Sequence, residues 1–136
     1  MKQSIRMLGS NYLLDTNIVI EILSGNVQIA EKIKELAGFS LCTTVLGELY
    51  VGVYRVSNKI KHEKKLLDFL GYCEVILTDT STSQKFGEIS ASLYKKGKPI
   101  PSNDIWIASI AIQHDLILVT RDNHFNEVEG LKIESW

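Results

Sequence analysis

Leu13–Leu23, LLDTNIVIEIL, decides how the rest of the chain is read. With the tyrosine before it, Tyr12–Leu14 is a short apolar run of the kind that forms a buried strand, and Asp15 stands where that strand would leave the sheet. Thr16 or Asn17 can then cap a short helix over the remaining apolar residues. A strand, an acid at its carboxyl end and a helix make the opening unit of an α/β domain. In such domains ligands bind in the crevice outside the carboxyl ends of the strands.

The pattern repeats downstream. Asn26 is placed to cap a second helix, whose apolar Ile29, Ala30, Ile33, Leu36 and Ala37 share one face, with Gly38 closing it. Phe39–Thr43 reads as a second strand. From Thr44 a helix follows with Leu46, Leu49, Val53 and Val56 on one face and Glu48 displaced from it. Gly47 and Gly52 each cost this helix about 1 kcal/mol relative to alanine, so close packing against the sheet or a ligand is expected there. A polar stretch, Ser57–Lys65, leads into a helix at LLDFL, and Glu74–Leu77 reads as the third strand. Ser83–Lys96 reads as a helix turning Phe86, Ile89, Ala91 and Leu93 inward, closed by Gly97. The loop KGKPIPSND holds both prolines of the chain. Ser102 or Asn103 then caps another helix, with Asp104 in its first turn, where the helix dipole favours an anion. Leu116–Thr120 is a nearly pure apolar run suited to the middle of a parallel sheet, and Leu131–Ile133 reads as a fifth strand. Strands separated by helices predict an α/β domain over residues 11–136, with a parallel sheet covered on both faces. Residues 1–10 are expected to be a flexible leader.

Composition narrows the class. The chain has 136 residues, 45% hydrophobic and 23% charged, with formal net charge −1, as in an ordinary single globular domain. A nucleic-acid partner is not announced by bulk charge, so any basic surface must be local. Cys42 and Cys73 have no metal-binding spacing and read as reduced thiols of a cytoplasmic protein. No apolar run approaches the roughly 18 residues of a membrane helix, and the first ten residues lack the apolar stretch of a signal peptide.

Asp15, Glu48, Asp104 and Asp122 would each reach the carboxyl end of such a sheet. Taken singly, Asp104 reads as a helix N-terminal charge, Asp122 as a turn residue and Glu48 as a solvated helical position. Asp15 is harder to dismiss. Converging without a run of Lys or Arg beside them, the four would repel one another unless a divalent cation lay between them. Hard oxygen donors suit Mg²⁺ or Mn²⁺, and such an ion points to phosphoryl chemistry.

In this order and spacing, LLDTNIVIEIL, TTVLGELYVGV, PIPSNDIWIAS and LILVTRDNHF resemble the PIN-domain ribonucleases, specifically the VapC toxins of type II toxin–antitoxin pairs. The resemblance covers about Tyr12 to Trp136. It implies a PIN-like, Rossmann-like three-layer α/β fold with about five parallel strands flanked by helices. It also implies a homodimer, a cytoplasmic location, and a Mg²⁺- or Mn²⁺-dependent endoribonuclease neutralised by a VapB-like antitoxin, in a complex that can be a larger hetero-oligomer. The family's catalytic and metal-binding acids fall on Asp15, Glu48, Asp104 and Asp122. Its small polar positions near the metal fall on Thr16, Asn17, Asn103 and Thr120. The antitoxin would lie in an apolar groove beside the helices at Asn17–Leu23 and Thr44–Val56.

RNA would be gripped by local positive charge. Lys95, Lys96 and Lys98 precede the proline loop and Arg121 adjoins Asp122, so these flank the acids better than Arg55, Lys59, Lys61, Lys64 and Lys65 do. Tyr50, Tyr54 and Trp106 read as packing or interface aromatics, with base stacking as the alternative. His62 and His114 read as surface residues and His124 as a structural turn residue. A phosphatase of the haloacid dehalogenase type fits poorly, because it needs an acid where Asn17 stands. A DNA-directed nuclease of the same fold and a non-catalytic binding module remain as alternatives.

Overall fold

A computed structural model describes residues 11–136. Five parallel strands form one sheet: β1 (Tyr12–Leu14), β2 (Ser40–Cys42), β3 (Glu74–Ile76), β4 (Ile117–Val119) and β5 (Lys132–Glu134), in spatial order β3-β2-β1-β4-β5. Six helices flank it: α1 (Thr16–Leu23), α2 (Val27–Lys34), α3 (Thr43–Arg55), α4 (Lys59–Leu70), α5 (Thr80–Lys95) and α6 (Ser102–Gln113). A 3-10 turn spans Asn123–Glu127. The α/β fold with a five-stranded parallel sheet is thus the one expected, and the leader expected at residues 1–10 lies outside the described residues.

The winding reverses at β1. The chain runs outward through β2 and β3, then returns to pair β4 with β1 on its other side. Right-handed crossovers in opposite directions require helices on both faces of the sheet. Burial agrees: adjacent residues Leu13 and Leu14 of β1, and Leu118 and Val119 of β4, are all fully buried although they point to opposite faces. This reversal leaves a crevice at the carboxyl ends of β1 and β4.

Several boundaries differ from the sequence reading for local reasons. The cap of α1 is Asp15 itself, whose carboxylate accepts from the Thr16 backbone N–H; Thr16 and Asn17 are already helical. Helix α2 keeps its Asn26 cap but ends at Lys34, before Gly38. In α3 the buried stripe is Val45, Leu49 and Val53, at strict i, i+4, i+8 spacing, with Leu46 only half-buried. The expected close packing at Gly47 and Gly52 is absent: both are exposed, and a Cβ at either would meet nothing within 4 Å. Ser57–Lys65 is no polar lead-in, because Asn58 caps a single helix from Lys59 that runs through LLDFL. Helix α5 starts at Thr80, under an Asp79–Thr82 capping box. Ala91 faces solvent, since Ile89 and Leu93 define the inner face one turn apart. Pro101, not Ser102 or Asn103, stands at the cap of α6. Burial pushes both Cys42 and Cys73 thiols up to about 11, which favours the protonated form of each at neutral pH.

Candidate metal centre

The pairing of β1 with β4 delivers the first acid. The ladder ends at Leu14 opposite Val119 and continues one step, with the Asp15 N–H donating to the Val119 carbonyl at 2.9 Å. Asp15 therefore lies beside Thr120, whose hydroxyl donates to Asp15 Oδ2 at 2.6 Å. The other carboxylate oxygen accepts from the Thr16 N–H at 2.8 Å. Asp15 is only 5% exposed. Burial pushes its carboxyl above the usual range, and nearby Asp104 and Glu48 push the same way, against the hydrogen bonds from Thr120 and Thr16.

Helix α3 brings the second acid. The Thr16 hydroxyl donates to Glu48 Oε1 at 2.6 Å, tying the start of α1 to the second turn of α3. The other Glu48 oxygen faces the Asn103 amide at 3.5 Å. Asp104 arrives in the first turn of α6. Burial raises its carboxyl, and Asp122 and Glu48 add to the rise, while a hydrogen bond and charge from His124 oppose it. Asp122 follows β4; its N–H donates to the Thr120 hydroxyl at 3.0 Å, and its carboxylate accepts from the His124 N–H at 2.9 Å. Thr120 thus couples Asp15 to Asp122 through one hydroxyl.

Sequence reasoning left His124 out of the site. Its Nδ1 lies 3.1 Å from Asp104 Oδ2 and 3.2 Å from Asp122 Oδ1. The signal was its place two residues after Asp122. The basic residues are more engaged than expected. Arg121 donates from Nε to the Trp136 carbonyl at 2.7 Å and pairs with Glu21 at 3.1 Å. Lys96 donates to the Glu127 carbonyl at 2.6 Å, and Lys96 and Lys98 both lie 3.8 Å from the Glu127 carboxylate. Lys95 is exposed at the last turn of α5. Trp106 packs against Phe86 with ring centroids 4.1 Å apart, and Tyr50 stacks on Tyr54 at 6.0 Å.

The donor set fits a hard divalent cation. Carboxylate oxygens converge where burial, with a smaller contribution from their mutual repulsion, raises the carboxyls of Asp15 and Asp104, and each carboxylate is oriented by a hydroxyl, amide or N–H donor. Asn17 Oδ1 is buried without a hydrogen-bond partner among the described residues.

A sheet of this order with acids at its switch point defines a class. The PIN domain family model matches residues 12–131. The chain is 33% identical over 128 residues to Ribonuclease VapC2 of Haemophilus influenzae, spanning 92% of this chain and 97% of that protein. It is 26% identical over 129 residues to the tRNA(fMet)-specific endonuclease VapC of Salmonella typhimurium, with the same coverage. Among solved structures it is similar to VapBC2 of Rickettsia felis bound to a promoter DNA fragment, with TM-score 0.88 and 31% identity over 92% of this chain and 98% of that one. The chain belongs to the PIN-domain family and, within it, to the VapC ribonucleases.

Proposed function

We propose that this chain is a divalent-metal-dependent endoribonuclease acting as the toxin of a type II toxin–antitoxin pair in the cytoplasm. The observation that carries the reading is the meeting of Asp15, Glu48, Asp104 and Asp122, from four separate segments, at the switch point of a PIN-domain sheet. The reaction is in-line hydrolysis of an RNA phosphodiester. Asp15 and Asp104 are the principal cation ligands, with Glu48 and Asp122 completing the cup. A Mg²⁺ or Mn²⁺ ion bound there neutralises charge on the phosphate oxygens and makes water more acidic. The chain's own residues prepare that chemistry. Thr120 and the Thr16 N–H hold both oxygens of Asp15, so its carboxylate does not have to reorganise when substrate arrives. The Thr16 hydroxyl and Asn103 orient Glu48, which positions the attacking water. Lys95 and the exposed flanks of Lys96 and Lys98 hold the RNA backbone, and Arg121 braces the segment that carries Asp122.

The partner reading rests on a groove. Between α1, α3 and α4 lies a cavity of about 330 Å³ lined by Ile20, Leu23, Leu49, Gly52, Val53 and Val56 and reaching Glu48. It matches the place expected for a VapB-like antitoxin, and its acidic end suits a basic side chain of that partner. The solved VapBC2 of Rickettsia felis, bound to promoter DNA, supports pairing with an antitoxin. A homodimer remains part of the proposal. No described helix is long and apolar enough to cross a membrane.

The test is cleavage of total cellular RNA by purified, antitoxin-free protein with Mg²⁺ or Mn²⁺, with EDTA, and with Asp104→Ala. Discrete fragments lost with EDTA and in the variant are expected. No cleavage by well-folded protein favours a binding module, and cleavage of single-stranded DNA in preference to RNA favours a DNA-directed nuclease.

A further inference from the structure

His124 is held for a purpose that its turn does not require. The 3-10 turn is anchored by the fully buried Phe125 and capped by the Asp122 carboxylate on the His124 backbone N–H, and neither contact involves the imidazole ring. Instead its Nδ1 lies 3.1 Å from Asp104 Oδ2 and 3.2 Å from Asp122 Oδ1, and its own backbone N–H fixes the Asp122 carboxylate at 2.9 Å. One donor atom from each of Asp104, Asp122 and His124 lies within 4.8 Å of the others. Adjacent ligands of an octahedral ion at about 2.1 Å stand about 3 Å apart. The nitrogen–oxygen separations are therefore already those of neighbouring ligands around one ion. The imidazole is half-exposed while Asp104 is largely covered, so an ion from solvent meets the nitrogen on its way to the carboxylates.

We propose that His124 supplies a nitrogen ligand at the outer side of the cup, making the cation site a mixed nitrogen–oxygen one that prefers Mn²⁺ to Mg²⁺. This rests on the metal-dependent nuclease reading and deepens it. Mg²⁺ takes oxygen donors and gives up water reluctantly, whereas imidazole is a good ligand for first-row transition ions. In the ion-free chain Nδ1–H donates to the Asp104 carboxylate; an ion would replace that proton, which leaves to solvent, so that the imidazole enters as a neutral ligand through Nδ1 with its one remaining proton on Nε2. The inner acids, Asp15 above all, are oxygen-only and do not discriminate between the two ions in this way. Selectivity therefore sits in the one non-acidic member of the cluster.

The test uses the full chain loaded with Mn²⁺ alone, without RNA. Pulsed electron paramagnetic resonance reads the ¹⁴N coupling of a directly bound imidazole, and competition titration reads the Mn²⁺/Mg²⁺ affinity ratio. The expected result is a directly coordinated nitrogen in the wild type that is absent in His124→Gln, together with a roughly tenfold fall in the Mn²⁺ preference of that variant. Bound Mn²⁺ that Asp104→Ala removes, but that shows no directly coupled nitrogen in the wild type, overturns the proposal and leaves the nuclease reading standing. A nitrogen coupling that persists in His124→Gln also overturns it. Failure to find any Mn²⁺ sensitive to Asp104→Ala overturns both.

Discussion

The acidic cup and the apolar groove share Glu48 and are otherwise built in opposite ways. In the cup every acid is oriented by a neighbour: Asp15 by Thr120 and Thr16, Glu48 by Thr16, Asp122 and Asp104 by His124. The groove is left open. Ile20 is 52% exposed, and Gly52 leaves space that a Cβ would not fill. The cup carries electrostatic strain that an ion can relieve, and the groove carries uncovered apolar surface that a second chain can cover. Each region is incomplete in the currency of its own ligand. Their common residue, Glu48, sets the apolar groove directly against the acidic cup.

The largest effect expected is in the cup. Asp104→Ala should lower RNA cleavage by roughly 10²–10³-fold, the scale of removing one preorganised electrostatic group, with the circular dichroism spectrum unchanged. Retained cleavage would remove Asp104 from the chemistry. In the groove, Ile20→Asp should weaken antitoxin binding about 10–100-fold, as for a buried anchor, while antitoxin-free cleavage stays at the wild-type rate. Calorimetric titration and the RNA assay read the two separately. A variant that loses both would mean that the two regions are energetically one.

A smaller effect concerns stability. The Asp15 carboxyl is raised above its usual 3.8 by burial, so the folded chain holds that proton more tightly than the unfolded one. Its contribution is therefore favourable below the unfolded value and is lost as pH rises through the folded value. Asp15→Asn should raise the metal-free melting temperature at pH 7 by roughly 2–4 °C, the size of a modest change in folding free energy. The gain should shrink as pH falls toward 4. Added Mn²⁺ should reverse the order, because only the wild type gains binding energy. Loss of folding in the variant would make Asp15 structural. The smallest change expected is at Gly47, where alanine meets no neighbour. Gly47→Ala should stabilise α3 by up to about 1 kcal/mol, read by chemical denaturation. A simultaneous loss of cleavage would show that the bare backbone beside Glu48 makes room for RNA.

The strands could be read directly because fully covered parallel strands leave unbroken apolar runs, as at Tyr12–Leu14 and Leu116–Thr120. Asp15, Asp104 and Asp122 could be picked out because each follows a strand end or opens a helix, and Glu48 because it stands off the apolar face of its helix. Other features depend on side-chain direction. Asp15 had been read only as a ligand, yet the same carboxylate caps α1, and one residue doing both leaves no separate cap to find. Ala91 is apolar but too small to set a face against Ile89 and Leu93. The hydrogen bond from Thr16 to Glu48 crosses 32 residues and two helices, and sequence spacing does not report it. His124 resembled any polar turn residue until the opposing helix placed Asp104 against its ring. Gly47 and Gly52 suggested crowding, whereas their helix face is bare.

The bond between Thr120 and Asp15 joins residues 105 positions apart. The centre of the cup therefore waits for β4 to dock beside β1, which requires synthesis to pass the last acid at Asp122. A nascent or stalled chain carries Asp15, Glu48 and Asp104 without the strand that gathers them. Chain order thus sets when the site can exist: the four acids meet only after nearly the whole chain has been made.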